Sequence, residues 1–182
     1  MTKWQKQIVV GTVLGGSSLV RPKKGLNYHL SMAGGSPFWL EYKMQELGDL
    51  FPNRALSQDG KTHRCTSSCC ESFTDVYNDL FQDGQRHITI DVLNPLQDIA
   101  LAMWFLDGGG KTGRGKKNAY FNTTRLGEDG TGAVCSYFNE MGWDCSGHES
   151  NGRRRVIFSV SGTDRLFKTI SHRFPSFMYH RL

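Results

Sequence analysis

Two segments of the chain carry continuous apolar runs that end in glycine. The first covers residues 5–15, and the second covers residues 96–106, after which Asp107 and three consecutive glycines follow. Runs of this length favour buried helices over strands, and glycine after the last apolar residue is typical of a helix C-terminus. Pro95 stands where the first turn of the second helix would accept a proline. The pattern therefore predicts one buried helix near the start of each half of the chain.

Small residues lie at a helical spacing in both segments. Gly11 and Gly15 are four residues apart, which leaves a flat strip along the first helix, and Ala100 and Ala102 give the second helix a small-residue surface. Because small side chains let two backbones approach closely, we expect these two helices to pack against each other.

The segments that follow each helix are also alike. After the first helix the pattern predicts a hairpin at 19–32, a helix at 37–47, a strand at 61–67 and a helix at 73–81. After the second it predicts a basic turn, a strand at 119–123, a helix at 131–141, a strand at 155–161 and a helix at 164–173. Repetition at this scale indicates a duplicated fold. We therefore predict an α/β (α+β) protein with halves at 1–90 and 91–182, forming one compact monomer.

Composition places the chain among folded proteins without a membrane span. Hydrophobic residues make up 38% and aromatic residues 12% of 182 residues, which argues against disorder. No apolar run approaches the about 20 residues needed to cross a bilayer. The five cysteines are an odd number and no signal peptide precedes them, which indicates a reducing, intracellular location.

Three of the cysteines are closely spaced and raise the question of zinc. Cys65, Cys69 and Cys70 follow His63, but no second Cys or His pair stands at the spacing of a zinc finger. Free thiols in the core or in a sheet are the favoured interpretation.

Positive charge is concentrated in separate stretches of the chain. Lys and Arg number 22 against 17 Asp and Glu, for a net charge of +5, and no acidic residue precedes Glu41. A second acid-free stretch covers residues 108–127, and a third basic cluster covers residues 153–155. Stretches of one sign favour surfaces that contact a phosphate backbone.

Four landmarks carry a resemblance to a known family. Residues 99–111 resemble the second motif of the LAGLIDADG endonucleases, L-A-x-W-F-x-D-D-G-G-K, and residues 9–17 resemble the first, G-x-x-L-G-D-G. Residues 174–182 are similar to the P-x-M-x-Y-K-L ending of single-chain members, and residues 38–43 resemble the helix after their first hairpin. These landmarks follow the family order from one end of the chain to the other. The chain thus resembles a single-chain, two-motif LAGLIDADG homing endonuclease.

The resemblance implies a fold and a partner. Two αββαββα-like halves would be related by a pseudo-twofold axis, with the motif helices side by side and two antiparallel sheets forming a saddle. The saddle would read about 20 base pairs of double-stranded DNA in the major groove, where each base pair shows a distinct pattern of donors and acceptors. Lys43 is predicted to lie on an outer helix, away from this surface. The expected DNA contacts on strands and turns are Arg21, Lys23, Lys24, His29, Lys61, Arg64, Arg114, Lys116, Lys117, Arg153, Arg154 and Arg155.

The same resemblance locates a metal site, and there the chain departs from the family. Active members hold Mg²⁺ with the last acidic residue of each motif, and these positions align with Gly16 and Gly108. Mg²⁺ requires oxygen ligands, usually carboxylates and water, and glycine has no side chain to supply one. Asp107 is one residue early, about 100° around the helix, and is expected to act as a weak ligand at most. Lys111 corresponds to a lysine that stabilises charge near the phosphate in some members.

We therefore predict a chain that recognises DNA without cleaving it, with little or no metal binding. Three interpretations of the two glycines stay open. They are a deliberately inactivated nuclease, a maturase that binds intron RNA during group I splicing, and a plain DNA-binding relative. A fourth possibility, of a different class, is an RNA-binding module without nuclease ancestry. It requires that the two motif helices do not pack together.

Overall fold

The two halves of the chain contain the same series of helices and strands. The structure, a computed structural model, describes residues 1–181, and at Lys116 it describes the backbone alone. The first half contains α1 (Lys3–Gly15), β1 (Ser18–Val20), β2 (His29–Gly34), α2 (Pro37–Leu47), β3 (Ser57–Asp59), β4 (Thr62–Thr66) and α3 (Glu71–Leu80). The second contains α5 (Asp98–Gly108), β7 (Gly109–Thr112), β8 (Asn118–Asn122), α6 (Gly127–Glu140), β9 (Cys145–Ser150), β10 (Arg153–Phe158) and α7 (Val160–Ile170). Between them lie β5 (Phe81–Gln82), β6 (Gln85–Arg86) and α4 (Ile90–Leu93).

The two large sheets have identical topology. Each has four antiparallel strands, in the order β1-β2-β4-β3 in the first half and β7-β8-β10-β9 in the second. The α/β fold with two αββαββα units predicted from the sequence is therefore confirmed. β1 and β7 each begin soon after a motif helix ends, so the C-terminal ends of α1 and α5 lie next to the edge strands of the two sheets.

Helices α1 and α5 pack against each other along their small residues, as predicted. A Cβ atom added at Gly11 would overlap the carbonyl oxygen of Ala100, and one added at Gly15 would lie 2.5 Å from the Cβ of Asp107. Nearly all side chains on α5 between Ile99 and Leu106 are buried. Close approach of the two backbones therefore depends on the absence of side chains at these glycines.

The core of the second half is built from aromatic rings. Trp104 from α5 lies 4.4 Å from the ring of Phe121 on β8, and Phe121 stacks on Phe138 of α6 at 5.6 Å. Phe138 in turn contacts Phe158 of β10 edge to face. These four fully buried rings join the motif helix, the sheet and the helix behind it into one core.

Several boundaries differ from the sequence-based prediction. Helix α5 begins at Asp98, not beside Pro95, whose carbonyl instead accepts a hydrogen bond from the side chain of Gln7. Helix α7 begins at Val160 because the Ser159 side chain accepts a hydrogen bond from the N–H of Gly162 and so ends β10 earlier than expected. Helix α3 begins after Cys70, with no side-chain cap, although Ser72 or Thr74 is expected from the sequence to start it.

Two strands have no apolar signal in the sequence. β3 and β9 are almost entirely exposed, and they are held at the outer edges of the sheets by backbone pairing with β4 and β10. A strand that buries neither face lacks the alternation by which strands are recognised, so neither was predicted.

Candidate nucleic-acid interface and the motif helix ends

One face of the first sheet is buried against helices, and the other is open. Leu30 and Met32 on β2 and Cys65 on β4 point inward and are buried. Because side chains alternate along a strand, the outward face carries the intervening residues, with Ser31 opposite Thr66 and Ala33 opposite Arg64. This outward face is polar and carries few large side chains.

The second sheet has a more strongly basic outward face. Arg155 on β10 pairs in register with Asn122 of β8 and His148 of β9, and its guanidinium lies 4.5 Å from the ring of Tyr120. Arg153 is on the same face, two residues away. A concave region of about 530 Å³ between these side chains and Thr112 opens to solvent on this face. The side chains that line this region are held by the strands of the sheet, and they can donate and accept hydrogen bonds.

The three consecutive arginines do not act together. Arg154 points to the opposite face, because alternation along β10 separates it from its neighbours. Its Nε donates to Glu149 at 2.9 Å. The expectation that all three arginines contact DNA is therefore corrected for Arg154, whose side chain faces α6 and not the outward surface.

Most of the other predicted basic contacts lie at turns beside the sheets. His29 and Arg64 are on the strands themselves, and Arg114 lies in a 3-10 turn after β7. The predicted contacts that are exposed in turns or loops are Arg21, Lys23, Lys24, Lys61, Arg114 and Lys117. The side chain of Lys116, predicted to contact DNA, lies outside the described part of the chain. Leu182, the end of the predicted C-terminal motif, lies outside it as well.

At the end of α1, two arginines contact the backbone around Gly16, where the family resemblance predicts an acid. Gly16 has φ +130°, a backbone conformation that side-chain-bearing residues rarely adopt, and its N–H closes the helix on Thr12 and Val13. Arg125, from the second half, donates from Nη1 to the Gly16 carbonyl at 2.5 Å. Arg86 donates from Nη2 to the carbonyls of Val13 at 3.0 Å and Ser17 at 2.9 Å.

Arg86 is held in an unusual environment. Burial, together with the nearby charge of Arg125, lowers the pKa of Arg86 to about 10. Its Nε is buried and has no hydrogen-bond partner among the described residues. The guanidinium also lies 5.6 Å from the ring of Phe81, which stacks on Tyr77. Two cationic groups therefore meet where the family resemblance places an acid.

At the end of α5 the arrangement is different. Asp107 accepts hydrogen bonds from Lys43 Nζ at 2.9 Å to each oxygen and from Trp39 Nε1 at 2.5 Å. The side chain of Lys43 is 2% exposed and that of Asp107 is 12% exposed. Lys43 is predicted from the sequence to lie on an outer helix, away from the DNA; in the structure its side chain points inward from α2, to the motif helix of the other half. The pairing weighs against Asp107 as a metal ligand, because both oxygens already have partners.

Gly108 has no space for a side chain. A Cβ atom there would lie 2.7 Å from the carbonyl oxygen and 3.0 Å from the Cα of Gly15. The obstacle is backbone, so a side chain at this position requires the two helices to shift. Arg181 donates to the carbonyl of the next residue, Gly109, at 2.8 Å.

Lys111 does not lie on the outward face. It pairs with the buried Ala119 in register, and its Nζ lies 5.5 Å from the ring of Phe167 on α7. A cation over a ring face is a favourable contact, so this lysine serves packing between β7 and α7 in the described conformation. Its predicted role near a phosphate stays a prediction.

The residues present do not fit a divalent metal at the motif helix ends. A hard cation needs oxygen ligands, and here one end carries two guanidiniums while the other carries a carboxylate engaged by a lysine and a tryptophan. Within residues 1–181, no group of three or more His, Cys, Asp or Glu side chains is arranged to hold a metal. All five cysteines are free, and Cys69 Sγ lies 3.8 Å from His29 Nδ1.

Sequence reasoning missed the residues that surround the two helix ends. Arg86 and Arg181 were not among the candidates, although each follows the last long helix of its half. The sequence places Arg125 only within the acid-free stretch at 108–127 and Lys43 only on an outer helix, so neither is predicted at a motif helix end. Arg86 and Arg181 occupy comparable places at the ends of the two halves, and that repetition is the signal that could have identified them.

A duplicated αββαββα unit, with its two first helices packed side by side and two open antiparallel sheets beside them, defines the LAGLIDADG class of proteins. The profile of the LAGLIDADG DNA endonuclease family matches residues 6–166, and the chain belongs to this family. A search of curated protein sequences found no match.

Solved structures agree on the fold at low sequence identity. The homing endonuclease I-WcaI bound to its DNA recognition sequence matches with a TM-score of 0.86 and 16% identity, over 100% of this chain and 86% of that one. I-DmoI in complex with DNA and Mn matches with a TM-score of 0.62 and 13% identity, over 91% and 95% of the two chains. The N-terminal LAGLIDADG domain of DUF199/WhiA matches with a TM-score of 0.56 and 13% identity, over 97% and 87%. Among the described residues, no helix has the length and apolar character needed to cross a membrane.

Proposed function

We propose that this protein is a monomeric, site-specific binder of double-stranded DNA that does not cleave its target. The observation that carries the proposal is the state of the two motif helix ends: glycine stands at both acid positions, and Asp107 is engaged by Lys43 and Trp39. Membership of the endonuclease family supports DNA as the partner. An intracellular, reducing location and an origin in an intron or intein stay predictions.

The outward faces of the two sheets would form the DNA-binding surface. Antiparallel strands fit the major groove, where base edges are distinguishable. Arg153, Arg155 and Tyr120 on the second sheet, and Arg64 on the first, offer donors and a flat ring at positions fixed by strand pairing. Exposed lysines and arginines in the adjoining turns would contact phosphates and set the register of the protein on the duplex. I-WcaI and I-DmoI, which share this fold, are solved in complex with DNA.

Loss of cleavage follows from the chemistry of phosphodiester hydrolysis in this family. Divalent ions, Mg²⁺ in the active members, supply the charge that activates water and stabilises the leaving oxygen. The chain offers backbone carbonyls at Gly16 and Gly109, but arginine side chains already donate to both of them. The residues at the two motif helix ends would therefore bind and position DNA without holding the metal ions that cleavage requires.

The binding half of the proposal is tested with two neighbouring arginines. We expect Arg155→Gln to weaken binding to a duplex selected from a random-sequence library, because its side chain lies on the outward face. Arg154→Gln is the matched control: it removes the same charge one residue away, on the inner face, and should leave affinity nearly unchanged. Binding is measured by fluorescence anisotropy over a range of salt concentrations. Equal losses from both variants would show that the outward face is not the binding surface.

The cleavage half is tested on the same duplex with Mg²⁺. The unchanged protein should bind and leave both strands intact, and cutting by it would overturn the proposal. Gly16→Asp with Gly108→Asp restores both acids. Recovery of double-strand cleavage would identify an inactivated nuclease, whereas binding without cleavage would identify a lineage that has adapted to glycine. Strong preference for folded intron RNA over every duplex would replace the proposal with the maturase function.

A further inference from the structure

We propose that Arg86 and Arg125 form a phosphate-binding site at the C-terminal end of α1, so that this end of the motif pair binds an anion directly instead of a metal ion. The inference rests on the proposed binding of duplex DNA and specifies which residues hold its backbone at the centre of the protein. The two guanidiniums lie close together, neither forms an ion pair among the described residues, and one of them is exposed.

The two guanidiniums converge on one short segment of backbone. Arg125 donates to the carbonyl of Gly16, and Arg86 donates to the carbonyls of Val13 and Ser17, on either side of it. Arg125 reaches this segment from the other half of the chain, 109 residues away in sequence. The two side chains are therefore fixed next to each other by contacts with different carbonyls of the same short segment.

Neither guanidinium forms an ion pair with an acidic side chain among the described residues, although Arg86 also borders a neighbouring cleft that contains Asp83, Asp91, Glu128 and Asp129. A cleft of about 810 Å³ opens between β1, the β5–β6 hairpin and the segment before α6, and its described lining contains no Asp or Glu. It contains three arginines: Arg21, Arg86 and Arg125. The partial negative charge of a helix C-terminus offsets only part of the two charges that touch it. An anion placed here would relieve the repulsion between Arg86 and Arg125.

Donors are available for such an anion. A guanidinium has five N–H groups, and Arg125 uses one of them in a described hydrogen bond while its side chain is exposed. A guanidinium can present two parallel N–H groups to phosphate oxygens. Arg86 is partly buried, and its guanidinium lies 5.6 Å from the ring of Phe81. It places a second positive charge close to that of Arg125. The exposed Arg125 would thus contact the phosphate, and Arg86 would strengthen the field at that point.

A purely structural role for Arg125 is the alternative, because it also closes the end of a helix. The chain contains a matched control for this role. Arg165 on α7 is likewise exposed and donates one hydrogen bond to a glycine carbonyl, that of Gly142, at 2.9 Å. Replacing either arginine with glutamine removes one charge and alters one similar hydrogen bond, but only Arg125 lies in the cleft.

The first experiment measures the salt dependence of binding to the selected duplex for the unchanged protein, Arg125→Gln, Arg125→Lys and Arg165→Gln, with a chelator present. The slope of log affinity against log salt concentration is negative, and its magnitude should decrease by about 0.9 for Arg125→Gln, the value for one lost phosphate contact. The slope should stay unchanged for Arg125→Lys and Arg165→Gln. An unchanged slope for Arg125→Gln, with duplex binding intact, would overturn the inference and leave the proposed function standing. Binding by the unchanged protein that disappears in chelator would also overturn it.

The second experiment does not depend on DNA. Thermal unfolding is followed in inorganic pyrophosphate and in sodium chloride of equal ionic strength. Pyrophosphate should raise the Tm of the unchanged protein and of Arg165→Gln, and should raise it much less for Arg125→Gln. If no duplex binds but this pattern holds, the proposed function fails while the anion site stands. If pyrophosphate stabilises all variants equally or none, the anion site is wrong.

Discussion

The ends of the two motif helices have equivalent positions in a duplicated fold but different electrostatic surroundings. In both halves an arginine from the end of the half donates to a carbonyl just after the motif helix: Arg86 to Ser17, and Arg181 to Gly109. Beyond this shared contact they diverge. The first end adds Arg125, whereas the second holds Asp107 in a buried pair with Lys43.

The difference shows which features of the repeat depend on backbone and which depend on side chains. Strand order, helix packing and the arginine-to-carbonyl contact are retained in both halves. Side chains at the two helix ends are not retained, because each is contacted by elements of the other half, and those elements differ in sequence. Lys43 and Arg125 both cross from one half to the other, one to meet a carboxylate and one to meet a carbonyl. The two helix ends are thus unlike sites within a duplicated fold.

The largest effect should come from breaking the pair at the end of α5. Lys43→Met leaves the Asp107 carboxylate mostly buried without its cation, which should reduce the free energy of unfolding by about 3–5 kcal/mol. Urea denaturation measures the loss. The double variant Lys43→Met with Asp107→Leu should recover much of it, since no buried charge is left unpaired. Lys168→Met, on an exposed position of α7, serves as the control and should change little.

If Lys43→Met is as stable as the unchanged protein, the pair at the end of α5 is not the structural element that the geometry indicates. The contrast with the end of α1 would then reduce to the arginines alone.

A smaller loss is expected from a methyl group at Gly108. Gly108→Ala forces a Cβ against the backbone of Gly15, so the free energy of unfolding should fall by about 1–3 kcal/mol. Gly132→Ala is the matched control on α6, where an added Cβ meets nothing within 4 Å, and it should stabilise by up to about 1 kcal/mol. Thermal unfolding compares the two. A stabilising Gly108→Ala would mean that α1 and α5 are farther apart than described.

At Gly16 the same substitution should be unfavourable for a different reason. The position has open space, with only Arg125 Nη1 at 4.0 Å from an added Cβ, but its φ of +130° disfavours any side chain. Gly16→Ala should therefore cost about 1–2 kcal/mol through backbone strain. Adding Arg125→Ala to Gly16→Ala should not reduce this loss of stability. A smaller loss in the double variant would show that crowding by Arg125, and not the φ of Gly16, causes it.

The smallest effect concerns the other end of α5, where Asp98 accepts from Arg173 and His172 at 2.9 Å and from the Ile99 N–H. Burial raises the pKa of Asp98, but these hydrogen bonds outweigh it, and the pKa falls below its usual 3.8. A depressed pKa contributes stability that is present above pH 3.8 and is lost as the pH falls through the folded value.

Asp98→Asn should therefore cost about 1 kcal/mol at neutral pH, and the difference from the unchanged protein should shrink on acidification below pH 3.8. Urea denaturation at several pH values measures it. A difference that grows at low pH would contradict the sign of this pKa shift.

Local patterns in the sequence were enough for the architecture. The two apolar runs identified α1 and α5, the small residues at Gly11 and Ala100 identified their contact, and the similar segments after each run identified the duplication. These features are encoded by residues close in sequence, with periods set by the geometry of helices and strands. Alternation along β10 places Arg154 and Arg155 on opposite faces of the sheet.

Only the tertiary structure decided what surrounds Gly16 and Gly108, the two predicted acid positions. Whether Lys43 faces solvent or Asp107 depends on how α2 lies against the other half, 64 residues away, and the contact of Arg125 with Gly16 spans 109 residues. The sequence pattern around Lys43 is compatible with either a buried or an exposed side chain, because the aliphatic part of a lysine can pack against apolar residues and its charged end can be solvated. The sequence alone determined that glycine stands at positions 16 and 108, where the family resemblance predicts carboxylates. The packing of the two halves placed a buried ion pair at one helix end and two cations at the other.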